Sequence, residues 1–242
     1  PEEAPAQPDM ALFEELRVQA DFVYPFEDCL EIRAKVSASK LSAEQSGSRE
    51  LNLSKPAWLG AQGMTPAERG IALHEFMQFA DFARAAEDPA GEIARLAERA
   101  YLTPEQAGAI ELDRVQAFFR SGLGRRVLAS PEVRRERRFT AAIPPHMAQP
   151  EAVGGEGETM ILQGAVDCTF VENGKLHIID FKTDRTEDME ELWQRYERQL
   201  ELYAYAMEEV TGWKVGDLAL YSTWLNQDST RPYSPGKEDG KN

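Results

Sequence analysis

The sequence predicts a mixed α/β domain whose first half is mostly helical, and three observations carry that prediction. Before Pro131, apolar residues recur at helical spacing and Thr-Pro pairs mark helix starts. After Pro131 the chain turns to β-rich runs, two of them separated by Asn173-Gly174, the strongest short-range hairpin signal. A long amphipathic stripe follows, and then one more β-rich run. The order of helices, strand, hairpin, long helix and strand is that of a single α/β unit with a helical insertion.

Residues 10–20 carry Leu12, Phe13, Leu16 and Val18 at roughly helical spacing, a short helix. The stretch YPFEDCLEIRAKVSASKLS has room for a short extended segment and begins a helix near Ser39. Residues 42–55 are polar, lack aromatic side chains and read as a linker or mobile excursion. Thr65-Pro66 opens a helix, with Thr65 as N-cap and Glu68 at the capping-box position, running through ERGIALHEFMQFADFAR. Further helical patterns cover 91–100, 103–119 and 123–129. VRRERRFTAAI reads as a strand ended by Pro144-Pro145, and ILQGAVDCTFVENGKLHIIDFKTD as the hairpin. From 187 to 211, Trp193, Tyr196, Leu200, Tyr203, Met207 and Val210 share one helical stripe. LALYSTWL is the last strand and NQDSTRPYSPGKEDGKN a polar tail.

At 242 residues the chain is long enough for one sizeable core, and 42% apolar with 29% charged residues excludes a disordered composition. No apolar run approaches the ~20 residues needed to span a bilayer, and no secretory signal opens the sequence. Cys29 and Cys168 are too few for a disulfide framework, a four-thiolate zinc site or a four-cysteine iron–sulfur cluster, so a reducing cytoplasm is the expected location. A formal charge of −15 argues against a free-standing protein that grips nucleic acid through overall positive charge. It leaves open a nucleic-acid enzyme whose metal site needs local carboxylates and whose partner supplies basic surface. The opening PEEAPAQPD begins with Pro1 and has no apolar periodicity, so the chain is expected to be a piece of a longer one. The expected division is 1–36 as a preceding tail or linker, 37–228 as the domain and 229–242 as a polar tail.

The Asn-Gly turn sets the hairpin register. Glu172 faces Lys175, and each outward step brings the next pair together, so Asp167 should lie opposite Asp180 with Cβ atoms ~4.5–5.5 Å apart. Facing like charges destabilise a sheet unless something offsets them, and a hard divalent cation does so well. Alternation along the strand puts Lys182 on the face of Asp180. Two metal-binding carboxylates beside an ammonium suit phosphodiester hydrolysis. Taken alone, the same pattern also fits a solvent-facing strand whose Asp–Asp clash is relieved by a bulge. In the Thr65 helix, Gly70, His74, Met77, Gln78 and Asp81 share a stripe, and His74 would be a usable third ligand that admits Mn²⁺ as well as Mg²⁺. Singly, His74 reads as a core-edge or solvated histidine. His177 and His146 receive no role. On the long helix, Gln199, Tyr203 and Tyr196 share a face that could bind a nucleic-acid strand or simply serve the core. Arg134, Arg135, Arg137 and Arg138, interrupted by Glu136, fit either a solvated edge or a phosphate-tracking patch.

The set GIALHEFMQ, LQGAVDCTF, IIDFKTD and YERQLELYAYAME resembles the motifs of RecB-like nucleases of the PD-(D/E)XK superfamily: a helical His, an Asp after a Gly, an Asp-x-Lys and a Gln-x-x-x-Tyr. More narrowly, with YPFEDCLEIRAKVSASKL, it is similar to the C-terminal nuclease domains of AddA-type helicase–nuclease subunits. The resemblance implies a PD-(D/E)XK core, a small mixed sheet flanked by helices. It implies a metal-dependent exonuclease on single-stranded DNA, acting on the 3′-terminated strand during helicase-coupled break resection. It also implies an AddB-type partner that carries its own iron–sulfur cluster. By resemblance, His74, Asp167, Asp180 and the Phe181 carbonyl hold Mg²⁺ or Mn²⁺, Lys182 is catalytic with the two aspartates, and Gln199, Tyr203 and Tyr196 lie near substrate. No Gly-Lys-Ser/Thr phosphate loop is present, so ATP use and helicase action are expected outside this sequence. The alternatives are a silent nuclease fold that guides DNA or docks a partner, and a stand-alone RecB-like nuclease.

Overall fold

The computed structural model describes residues 10–21, 29–45, 64–150 and 157–235. Its elements follow from local chemistry. Helix α1 (Met10–Ala20) forms as expected but buries none of its residues. Strand β1 (Lys35–Ser37) and α2 (Ala38–Gln45) take up the extended segment and the helix expected near Ser39. Of the expected linker, 42–45 complete α2, and the rest lies outside the described residues.

Helix α3 (Pro66–Phe79) opens on the full capping box: the Glu68 amide donates to Thr65 Oγ1 at 3.2 Å, and the Thr65 amide to Glu68 Oε2 at 2.5 Å. Such caps contribute about 1 kcal/mol each. The helix does not run on through the following ADFAR, as the periodicity predicts. It stops at Phe79, because Asp81 takes an extended conformation and N-caps α4 (Phe82–Glu87). Asp81 is therefore a cap and not part of the His74 stripe. Asp88 caps α5 (Pro89–Glu98) in the same way. The single helix expected over 103–119 is also two: α6 (Pro104–Ala109), with a second Thr-Pro capping box, and α7 (Leu112–Arg120). Between them Ile110 is extended and buried, and helical periodicity alone could not reveal the break. Helix α8 (Gly122–Ala129) is capped by Ser121.

Six strands form one mixed sheet: β1, β2 (Val133–Ile143), β3 (Met160–Glu172), β4 (Lys175–Lys182), β5 (Val215–Ser222) and β6 (Gln227–Pro232). The residues expected as a polar tail thus begin with a strand, antiparallel to β5 from Ser222↔Gln227 to Asp217↔Pro232. Its burial pattern lacks an apolar face, which hid it from a hydrophobicity reading. Strand β1 likewise crosses the expected boundary at 36–37. Asn173 and Gly174 sit at φ 52° and 72°, as a type I′ turn requires, and fix the β3–β4 register as read. Helix α9 (Met189–Thr211) carries the chain from β4 to the parallel β5.

The sheet separates two cores. On one side α2 and α9 pack against Leu162, Val166, Leu176, Ile178 and Leu220. On the other, α3–α8 pack against Cys168, Phe170, Ile179, Phe181 and Tyr221, with Phe118 in edge contact with both Phe181 and Tyr221. The candidate site residues lie where this two-sided order breaks.

Candidate active site

Strand β3 is shared. Strand β2 pairs along one edge from Met160 to Phe170. The other edge takes β1 at Ile161–Gln163 and β4 at Cys168–Glu172. Among the described residues, 164–167 therefore have no strand on that edge. Asp167 lies in this gap. The predicted register holds up to Cys168↔Ile179, and there the ladder ends, one step before Asp167 and Asp180 would face each other. The expected cross-strand pair is not formed. Two carboxylates cannot occupy a direct pair at low cost, and separating the strands is one relief.

The break is visible in the alternation. Val166 belongs to the α9-side core, whereas Cys168 belongs to the helical-side core, although residues two apart on a strand should share a face. Asp167 sits between them, and its carboxylate is held in place of a ladder partner: the Phe181 amide donates to Oδ2 at 2.9 Å. His74 Nδ1 lies 3.5 Å from the same oxygen. In β2, Glu136 occupies the count opposite Asp167, is left out of the register, and has a φ of 47°. A glutamate in that region is uncommon and marks local strain, which tends to collect at functional sites.

Asp180 projects from the opposite side of β4 to Phe181 and is 2% exposed. Lys182 Nζ stands 2.5 Å from Asp180 Oδ2, an ion pair buried at the end of β4. The ammonium also lies 3.7 Å from the Tyr196 ring centroid, and Tyr196 Oη donates to Asp184 Oδ1 at 3.0 Å. Tyr196 is neither pure core nor free platform. Gln199 Nε2 donates to Tyr203 Oη at 2.7 Å, and both side chains are buried, so they underlie the site and do not present themselves at the surface. Tyr203 also meets the open backbone of Gly164, where an added Cβ would come within 3.2 Å of its ring. Phe181 contributes its ring to the helical-side core and its amide to Asp167.

The electrostatics follow from burial and proximity. Desolvation, aided by the charge of Asp167, pushes Asp180 up to about 6 against the attraction of Lys182. Burial would raise Asp167 too, but the His74 hydrogen bond, the charges of His74 and Lys182 and the Phe181 amide hold it below the ordinary carboxylate range. Burial pulls His74 down, and Asp167 more than restores it, leaving it above its usual value. Lys182 is raised in the same way, with burial outweighed chiefly by Asp180. Glu136 is raised by burial and then by Asp167. Reading the sequence missed this residue; its one signal was an acid interrupting an arginine run.

Other expectations resolve plainly. The four arginines do not make one patch: Arg135 donates to the Ala80 carbonyl and lies over the Phe82 ring at 4.9 Å, while exposed Arg134 pairs with Glu132. His177 stacks on Phe170 across the sheet from Asp180 and joins Arg126, Glu172 and Asp217 in a polar cluster; His146 is exposed.

A family model described as "PD-(D/E)XK nuclease superfamily" matches residues 36–238. The chain belongs to the PD-(D/E)XK nuclease superfamily. It is 35% identical over 222 residues to the A subunit of an ATP-dependent helicase/nuclease of Clostridium botulinum, covering 86% of this chain and 17% of that protein. With the corresponding helicase/nuclease polypeptide of Acetivibrio thermocellus it shares 34% over 227 residues, 87% of this chain and 18% of the relative. This nuclease domain thus spans under a fifth of the curated relatives it matches. A solved structure described as "Crystal structure of SSO0001" aligns over 93% of this chain and 78% of its own, at 14% identity and a TM-score of 0.36, too distant to inform the site. No helix among the described residues is long and apolar enough to cross a membrane.

Among the described residues, no three His, Cys, Asp or Glu side chains form a ready-made metal cage. Superfamily nucleases typically use a divalent metal, and the donors here fit a hard one: Asp167 and Asp180 supply carboxylate oxygens, the Asp180 pair buried with the Lys182 ammonium as its cation, and Mg²⁺ often takes only one or two protein carboxylates and fills the rest with water.

Proposed function

We propose that this chain is the metal-dependent deoxyribonuclease domain of an ATP-dependent helicase–nuclease. In this reading it hydrolyses phosphodiester bonds of the 3′-terminated single strand as an exonuclease in break resection and recombinational repair, beside an AddB-type partner. The observation that carries the chemistry is the convergence of His74, Asp167, Asp180 and Lys182 where the β3–β4 ladder ends, with the buried Asp180 carboxylate facing the Lys182 ammonium. Exonuclease action, strand choice and partner rest on the likeness to the helicase/nuclease relatives.

Asp167, Asp180 and His74, with the Phe181 carbonyl, would hold Mg²⁺ or Mn²⁺. Bound there, such an ion would polarise the phosphate and lower the pKa of its water. The chain's own residues do the rest. The Phe181 amide and His74 fix the orientation of Asp167. Lys182, kept charged by Asp180 and seated on Tyr196, presents an ammonium to the negative charge that develops on the phosphoryl oxygens. Tyr203 and Gln199 brace the site from beneath.

The deciding assay uses end-labelled single-stranded DNA with Mg²⁺ or Mn²⁺ and then with chelator. We expect metal-dependent shortening, slow in this chain alone because a charge of −15 captures a polyanion poorly. Cleavage that persists in chelator removes the metal assignment. Absence of cleavage both alone and with a helicase part and partner favours the silent-fold alternative.

A further inference from the structure

On the helical side of the sheet, beside the end of β4, lies a cavity of ≈110 Å³. Its lining includes Arg69 and Gly70 from α3, Arg114 from α7, Thr183 and Arg185 just beyond Lys182, and Trp224 just beyond β5. None of these residues belongs to the hydrolytic set. Trp224 is 41% exposed, and the Arg114 and Arg185 guanidinium groups lie over its ring at 5.4 and 5.0 Å from the centroid. Arg114 is engaged with Glu111, which also borders the cavity. Arg69 and Arg185 are exposed, and among the described residues neither has an ion-pair partner. In a chain of net charge −15, two exposed arginines without an ion-pair partner among the described residues, at one aromatic hollow, are a local reversal of sign.

The cavity is joined to the site by short covalent and hydrogen-bonded steps. Thr223 donates to the Lys182 carbonyl through its amide at 2.9 Å and its hydroxyl at 3.2 Å, while Arg114 donates to the Thr223 carbonyl. Gly70 packs so closely on Thr183 that an added Cβ would stand 2.7 Å from Oγ1. Along α3, Gly70 lines the cavity one turn before His74, on the same side of the helix.

We infer that this cavity is a nucleotide subsite for the single-stranded DNA flanking the scissile phosphate, with Trp224 and its guanidinium neighbours stacking a base and Arg69 and Arg185 taking phosphate oxygens. An exposed indole with arginines around it is the chemistry that holds single strands without reading sequence. The inference deepens the nuclease reading and rests on it for the identity of the strand, but the test separates the two.

The probe is fluorescein-labelled oligothymidylate, its binding followed by anisotropy in chelator at low salt. Trp224→Ala should raise the dissociation constant about tenfold, the scale of removing one base stack, and Trp224→Phe should recover most of it. Arg69→Ala with Arg185→Ala should flatten the salt dependence by about 0.7 for each phosphate no longer neutralised. In Mg²⁺, Trp224→Ala should raise KM more than it lowers kcat. Equal affinity and equal KM for parent and Trp224→Ala, with metal-dependent cleavage intact, overturn the subsite and leave the nuclease reading standing. A parent that never cleaves yet loses oligonucleotide binding on Trp224→Ala does the reverse. Melting of Trp224→Ala at the parent temperature confirms that affinity, not folding, was changed.

Discussion

Glu92, in the helical half, and Asp180, at the end of β4, are both nearly removed from solvent, at 1% and 2% exposure, and their surroundings differ in kind. Glu92 takes the Asp81 amide on Oε1 at 2.6 Å, is gripped by the Arg95 guanidinium on both oxygens, and has Arg84 at 3.5 Å. Burial would raise it, but Arg95 and the Asp81 amide hold it below the ordinary carboxylate range. Asp180 has one lysine and a second aspartate nearby, and burial lifts it to about 6. One carboxylate is arranged to fasten two helices, the other to remain needy. A buried acid beside one cation and another acid is where chemistry is to be sought.

The sharpest way to break this contrast is to neutralise each in turn. Asp180→Asn should cut DNA cleavage by at least ~10³, and Lys182→Ala by ~10²–10³, the scale for losing one preorganised charge. The neutral pair Asp180→Asn with Lys182→Met should nonetheless melt at or above the parent temperature, because replacing both members of a buried ion pair is often neutral or stabilising. Mg²⁺ or Mn²⁺ should raise the parent's melting temperature with increasing concentration, the stability gain reaching ~2.7 kcal/mol at a hundred times the dissociation constant, and this gain should vanish in Asp180→Asn. If the double variant unfolds while metal leaves the parent unmoved, Asp180 is structural.

Glu92→Ala should do the opposite. It strands Arg95 and the Asp81 amide and should cost about 3 kcal/mol of stability, with cleavage per folded molecule preserved. Urea melts of the two variants side by side would show whether the roles are reversed.

The same contrast has a pH signature. A carboxylate whose folded pKa is depressed contributes stability above its unfolded pKa and loses it as pH falls through the folded value. Glu92 and the Arg126-bound Glu172 are both of this kind. The parent should therefore lose stability on acidification below about pH 4.5, the ordinary glutamate range, and Glu92→Gln should have a shallower acid limb from a lower plateau. An acid limb unchanged in Glu92→Gln would mean that other carboxylates carry the effect.

What the sequence disclosed and withheld follows the same physics. Thr65, Glu68 and Pro66 placed α3 correctly because a capping box is local, and Asn173-Gly174 set the register of five residue pairs for the same reason. The register failed at Asp167 and Asp180, where the ladder ends and the Asp167 carboxylate takes the Phe181 amide in place of a strand partner. Glu136 went unread because a positive φ in mid-strand is imposed by its neighbours, not by its own preference. Asp81 looked like part of an active stripe until its extended backbone made it a cap. Strand β6 has no apolar face and exists because β5 offers it an edge.

The smallest expected effect ties the two halves together. Gly70 is buried on α3, one turn before His74, and a methyl group there would stand 2.7 Å from Thr183 Oγ1. A hydroxyl on a side chain can rotate away, so Gly70→Ala should cost only about 1 kcal/mol, offset in part by the better helix propensity of alanine. Any part of the strain not relieved by rotation must push α3 away from the end of β4, and His74 moves with it relative to Asp167. Cleavage should therefore fall severalfold, more than the loss of folded protein accounts for, and Thr183→Ala in the same chain should restore it by removing the clash. A Gly70→Ala chain that cleaves at the parent rate would show that the helical half only covers the sheet, and that His74 is not held at the site through this contact.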